Sequence, residues 1–288
     1  ADISSVDAEG GLITYSIVDG HDREMLKVAG SELSFKDGLF ANYESDNELN
    51  LTIRATDNTG LTFDQAFIVE VLNVPEAPTS LSISVGSIQE NTPGYIADIS
   101  SVDAEGGLIT YSIVDGYDGE MLAISDSELS FKDGLFANYE QKQNLLFSIR
   151  ATDTDNLFFE KLFMINVNDI NELPGFISML SIDQDDNYTV DENISGAHIA
   201  NISGIDPDGD QLTYTIEELG DYSMMHIKDN MLYLKENVSA DYENDTELDV
   251  TLRATDPGGL SVNQSFMIDV NDVEDTVSFT ATIDQWQS

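Results

Sequence analysis

Val167-Asn168-Asp169-Ile170-Asn171-Glu172-Leu173-Pro174 decides how the rest of the chain is read. It closes a run in which Phe163, Ile165 and Val167 recur at every second position. That period marks a strand with one face on a core. The stretch then supplies Asp169, Asn171 and Glu172 in quick succession and ends in Pro174. A strand that ends in clustered oxygen ligands, just before a new unit begins, reads as a metal hinge between domains.

Working outward, the 288 residues suggest one to three domains. Hydrophobic content of 41% is enough for packed cores, and no apolar run approaches the ~20 residues of a membrane span. With no cysteine, disulfides hold nothing together and thiols say nothing of redox compartment. Charge is the outlying property: 55 Asp plus Glu against 11 Lys plus Arg, a formal net of −44. Ordinary nucleic-acid binding is excluded, because phosphate contacts need a basic surface. Such acidity fits disorder, halophilic solvation or cation binding. The recurring apolar alternation argues against disorder. The chain opens Ala1-Asp2-Ile3 with no basic leader region, and it reads as a piece of something longer.

Internal repetition is the strongest signal. Ala1 to Glu44 returns as Ala97 to Glu140, 96 residues later, changed only at the positions of His21, Arg23, Lys27, Val28, Ala29 and Gly30. Arg54-Ala55-Thr56-Asp57 returns as Arg150-Ala151-Thr152-Asp153 and again as Arg253-Ala254-Thr255-Asp256. Asn138-Tyr139-Glu140 is matched by Asp241-Tyr242-Glu243, and Val167-Asn168-Asp169 by Val270-Asn271-Asp272. This spacing is the size of a small independent domain, so the chain reads as a domain array. Within each unit, runs such as Ile13-Tyr15-Ile17 and Leu49-Leu51-Ile53 keep the strand period, and turn signals such as Asp19-Gly20 and Pro257-Gly258-Gly259 separate them. Short strands between turns predict a β-sandwich. No segment carries a clear amphipathic helix pattern.

Acids recur at matched places near turns and strand ends, even in the diverged third copy. That recurrence favours metal binding over a merely solvated surface, although Asp and Asn also suit turns. Calcium fits best, since it takes oxygen ligands from carboxylates, amides and carbonyls. Zinc would want Cys or His, and His21, His198 and His226 share no repeat position. Asp206-Pro207-Asp208-Gly209-Asp210, with Glu217 at the twelfth place, imitates an EF-hand loop. The glycine such a loop needs is Gln211, and Leu212 to Ile216 reads as a strand.

Read in order within a unit, Glu-Asn, Asp-x-Asp, Asp-Tyr-Glu, Ala-Thr-Asp and Asp-x-Asn-Glu-x-Pro resemble the calcium motif set of the cadherin repeat. The shortened closing motif resembles the form in large bacterial surface adhesins. The resemblance implies an all-β chain of three tandem Greek-key β-sandwich domains stacked end to end, the first lacking its opening strand. The expected bounds are 1–75, 76–172 and 173–275, with 276–288 as a tail or the start of a further repeat. It also implies Ca2+ at the junctions. Between the second and third repeats it names Glu90, Asn138, Glu140, Asp169, Asn171 and Glu172, with Asp206, Asp208 and Asp256 from above. Between the first and second it names Asn42, Glu44, Asn73 and Glu76, with Asp103, Glu105 and Asp153 from above. Asn73 and Pro75 stand where the other junction has Asp169 and Asn171, so this junction is expected to bind more weakly and to be the more flexible. Glu192, Asp241, Glu243 and Asp272 form the lower half of a further site, and Asp7, Glu9 and Asp57 the upper half of another.

The function this implies is that of a calcium-rigidified spacer or adhesion segment of a cell-surface adhesin, extracellular and part of a membrane-associated parent. Neighbouring adhesin copies or surface polysaccharide are the expected partners besides calcium. The alternative is a carbohydrate-binding or homophilic cell-cell adhesion module. Enzymatic activity is not expected: the acids repeat where a catalytic pair would be unique, and no nucleophile triad, P-loop or zinc signature occurs.

Overall fold

The computed structural model describes residues 1–114, 116–181 and 188–274. The chain falls into two compact units, the first made of Ala1–Asn138 with Lys142–Asn168, the second of Tyr139–Gln141 with the residues from Asp169 onward. The expected tail at 276–288, including Trp286, lies outside the described residues.

The first unit opens with β1 (Thr14–Asp19), β2 (Leu26–Ala29), β3 (Glu32–Phe35), β4 (Glu48–Thr56) and β5 (Thr62–Glu70). Strands β1, β4 and β5 form one sheet and β2 pairs with β3. It continues with β6 (Ser80–Ile83), β7 (Ser87–Gln89), β8 (Tyr95–Val102), β9 (Thr110–Val114), β10 (Leu122–Ser125), β11 (Glu128–Phe131), β12 (Asn144–Thr152) and β13 (Phe158–Asn168). These make two four-stranded sheets, ordered β10-β11-β8-β6 and β7-β13-β12-β9. The second unit repeats that plan with β14 (Phe176–Ser181), β15 (Thr189–Asp191), β16 (His198–Ile205), β17 (Thr213–Gly220), β18 (Met225–Lys228), β19 (Met231–Leu234), β20 (Glu247–Thr255) and β21 (Ser261–Asn271). Its sheets run β14-β16-β19-β18 and β15-β21-β20-β17. The opening strand of each complete set is split. Its first half joins one sheet antiparallel, and its second half crosses to the other and runs parallel to the closing strand. This is the expected Greek-key sandwich. No α-helix occurs among the described residues, only short 3-10 turns at Tyr117–Met121 and Tyr222–Met224.

Alternation decides which face is core. Along β12, Leu145, Phe147, Ile149 and Ala151 are buried while Leu146, Ser148 and Arg150 face outward; β20 buries Leu248, Val250, Leu252 and Ala254 in the same way. Each such large apolar side chain contributes about 1.5–3 kcal/mol by leaving water. On the outer face Arg150 donates to Glu160 at 2.7 Å, directly across the ladder.

The first set of strands is thinner. Among the described residues it carries no counterpart of β6 and β7, and every residue of β5 is exposed. Phe67 and Val69 are each 43% exposed, whereas Phe163 and Ile165 at the equivalent places on β13 are 8% and 0% exposed. Its buried cluster is Leu26, Leu51 and Ile53.

One class of acid serves the fold. Asp22 accepts the Asn50 backbone N–H at 2.6 Å, Asp118 that of Leu146 at 2.7 Å, and Asp221 that of Asp249 at 2.8 Å. In the first and last of these the ladder beside the aspartate slips register. Lys142 adds an ion pair to Asp118 at 2.6 Å. Asp118→Ala leaves the Leu146 N–H without its acceptor and is expected to cost about 1–3 kcal/mol. Asp118→Asn keeps an acceptor and should cost less, as denaturant melts of the two variants will show.

Candidate metal centres

In the second unit, Glu140, Glu172 and Asp208 bring carboxylate oxygens within 4.8 Å of one another. Asp169 offers an oxygen within the same distance of Glu140. The backbone builds this arrangement. The Glu172 N–H donates to Asp208 Oδ2 at 2.9 Å, and the Asp208 N–H donates to Asp206 Oδ1 at 3.1 Å. The turn after β16 is thereby tied to the segment that follows β13. Asn171 Nδ2 donates to Asp256 Oδ2 at 2.9 Å, and the Leu260 N–H donates to Asp256 Oδ1 at 2.9 Å. Gly258 makes room for Asn171: a Cβ there would stand 2.7 Å from Asn171 Oδ1.

Asp206 is the electrostatically exposed point of this design. It is 7% exposed, and its Oδ2 is buried with no hydrogen-bond partner. Burial, ahead of the charges of Asp208 and Asp210, pushes its carboxyl above the ordinary range, and backbone N–H groups only partly offset that. Asp256 is different. Burial pushes it up, but the hydrogen bonds from Asn171 and the Leu260 turn prevail and leave it lowered.

In the first unit, Glu44, Glu76 and Glu105 converge in the same manner, within 4.8 Å. The Glu76 N–H donates to Glu105 Oε1 at 3.0 Å. A hydrogen bond shared with Glu105, then burial and the Glu44 charge, raises Glu76. The Glu76 N–H leads the contacts that lower Glu105. Asp103, the counterpart of Asp206, accepts the Glu105 N–H through Oδ1, and its Oδ2 is likewise buried without a partner. Asp153 accepts the N–H groups of Asp155 and Leu157 within its own turn. Asn42 caps Ser45, and Asn73 is exposed in the linker. Glu90 is fully buried at the end of β7, and Asn138 is half-buried.

A further group joins Glu192, Asp241 and Glu243. Glu192 is held by the Val273 N–H at 2.8 Å and the Tyr242 N–H at 3.0 Å, in that order the main causes of its lowered pKa. Asp7 and Asp57 bind the N–H groups of their own turns. All these donors are hard oxygens, and two matched positions, Asp103 and Asp206, hold a buried carboxylate oxygen that has no hydrogen-bond partner among the described residues. An unsatisfied buried carboxylate is costly, so the chemistry fits a hard divalent cation of the calcium type. Sequence reasoning missed one group, His21 with Asp22 and Asp46; its signal was that Asp22 recurs as Asp118 and Asp221.

Paired sheets with acid-lined ends, repeated along one chain, define the class: tandem β-sandwich repeats. No family model matches the chain. It is 28% identical over 183 residues to the Fat-like cadherin-related tumor suppressor homolog of Drosophila melanogaster, which covers 60% of this chain and 4% of that protein. It is 27% identical over 294 residues to human protocadherin gamma-A6, covering 91% of this chain and 30% of that protein. The chain thus spans a minor part of the curated relatives it matches. The solved extracellular domain of Protocadherin GammaB4 superposes with a TM-score of 0.59 at 24% identity, over 90% of this chain and 44% of that one. The chain is similar to tandem cadherin repeats, and its fold is that of the solved protocadherin extracellular domains. No enzyme family is indicated. These relatives lend no support to a bacterial origin of the resemblance or to polysaccharide binding. No helix among the described residues is long and apolar enough to cross a membrane.

Proposed function

We propose that the chain is a calcium-stiffened segment of a cell-surface adhesion protein, with repeats at 1–75, 76–172 and 173–275. One observation carries the reading: Asp103 and Asp206, at the same place in successive repeats, each hold a buried carboxylate oxygen without a partner beside a cluster of converging acids. Bound calcium supplies the positive charge and the demand for about 6–8 oxygen ligands that these groups lack. Glu140, Asp169, Asn171, Glu172, Asp206, Asp208 and Asp256 are the proposed ligands of one centre, with Glu90 and Asn138 joining on motif order alone. Glu44, Glu76, Asp103 and Glu105 are those of the other, with Asn73 and Asp153 on the same ground. Uncompensated, the carboxylates of each cluster repel one another, and the linker they belong to is free to swing. Neutralised, they tie a linker to the turns of the following repeat, so that the cost of ordering is met by ligation. The spacer role is the function this supports best.

Small-angle scattering tests it. Calcium is expected to lengthen the maximum dimension and narrow the distribution relative to chelated protein. Superimposable curves in the two conditions would sink the proposal. Association of copies on adding calcium, seen by sedimentation, would instead favour a homophilic adhesion role.

A further inference from the structure

The connection between β1 and β2 carries a histidine that the calcium centres leave unused. His21, Asp22 and Asp46 offer ligand atoms that all lie within 4.8 Å of one another. The chain is pressed into place here. Gly20 has φ +119°, and a Cβ on it would stand 2.3 Å from the Asn50 carbonyl oxygen. That close approach seats Asp22, 5% exposed, under the Asn50 N–H, which occupies Oδ2 at 2.6 Å. Among the described residues, nothing donates to the second Asp22 oxygen and the His21 ring has no hydrogen-bond partner. Asp46 arrives from the turn before β4 and accepts the Glu48 N–H through Oδ1 at 3.1 Å.

The near-duplicate half of the same unit shows what kind of group belongs at this place. Ninety-six residues on, Asp22 becomes Asp118, Asp46 becomes Lys142 and His21 becomes Tyr117. There the Lys142 ammonium sits 2.6 Å from both Asp118 oxygens. One copy therefore holds a cation built into the chain. The other replaces that cation with a second carboxylate and adds an imidazole. The neighbouring cations are engaged elsewhere, Arg23 and Lys36 with Glu24, and Lys27 with Asp37. An imidazole nitrogen beside two carboxylates is a donor set for a borderline metal, whereas calcium takes oxygen alone.

We propose that His21, Asp22 and Asp46 form a zinc-class divalent cation site, with water completing the tetrahedron, in the first repeat and not in the second. The site is independent of the calcium centres and stands or falls apart from them. The experiment is calorimetric titration of Zn2+ alone into the whole chain, with calcium present in excess. One equivalent is expected to bind, undisplaced by calcium. Asp46→Lys, which installs the sister copy's ion pair, should remove that equivalent while keeping the wild-type far-UV spectrum. His21→Tyr should weaken binding by about tenfold or more. Zn2+ should raise the melting temperature of the parent chain and leave that of Asp46→Lys unchanged. Zinc binding of the same affinity and stoichiometry in both variants would overturn the proposal, as would displacement of zinc by equimolar calcium.

Discussion

Asp206→Asn is expected to stabilise the calcium-free protein and to weaken its calcium binding at the same time. Without a cation, the wild-type carboxylate is 7% exposed with one oxygen unsatisfied. Burial holds its pKa above the ordinary value, so ionising it in the folded state costs more than in the unfolded chain. A carboxyl raised in this way contributes stability that is fully present below about pH 3.8 and is lost as pH rises through the raised value. At neutral pH the wild type has lost that contribution, and the neutral amide avoids the loss. We expect a gain of about 1 kcal/mol for the chelated variant at pH 7, shrinking as pH falls. With calcium the order reverses. Removing a charged ligand should cost about 1.4–2.8 kcal/mol of binding, a tenfold to hundredfold loss of affinity. Thermal melts with calcium and with chelator, together with a calcium titration, read both signs. An equal loss of stability in the two conditions would mean that Asp206 supports the fold alone.

Phe147→Ala is expected to have the largest effect on stability. The ring is fully buried on β12 and stacks on Phe163 of β13 with centroids 6.0 Å apart. Truncating it removes the transfer contribution and leaves a cavity between two sheets that cannot close around it. The expected loss is about 3–5 kcal/mol, seen as a lower denaturant midpoint with little change in slope. Leu51 holds the same position in the preceding copy and is 2% exposed. Leu51→Ala should cost less, because the cluster around it is small and β5 lies open to solvent, so the site can relax and take in water.

Much of the architecture was legible because period two survives along β4, β12 and β20, and because Arg-Ala-Thr-Asp marks the same strand end in all three copies. The acid clusters at Glu140, Glu172 and Asp208, and at Glu44, Glu76 and Glu105, were legible as residue types at matched places. What the sequence did not carry was the division of labour among the acids. Asp256 and Asp153 are engaged by hydrogen bonds of their own turns, while Asp206 and Asp103 keep an oxygen unsatisfied. That difference depends on turn geometry, which a list of carboxylates does not encode. Asp22, Asp118 and Asp221 were passed over because their partners are backbone N–H groups 28 residues away. His21 is not legible as a ligand in the sequence because its companion Asp46 is brought to it across the fold.

The two near-identical copies also share their pairing geometry. Tyr15 lies opposite Ala55 and Tyr111 opposite Ala151, and each copy pairs Thr with Thr one step further along. A refolding chain is therefore offered two interchangeable hairpin partners for one strand, the situation in which neighbouring repeats swap elements and become trapped. The copies differ where such an exchange would be felt. The strand β4 presents Leu51 where β12 presents Phe147, and Asp46 stands where Lys142 pairs with Asp118. Exchanging the first half of one copy for that of the other would bring Asp46 against Asp118 without a cation between them. The divergence of these few side chains thus acts as an address label, directing each strand to its own sheet while the rest of the sequence leaves the choice open.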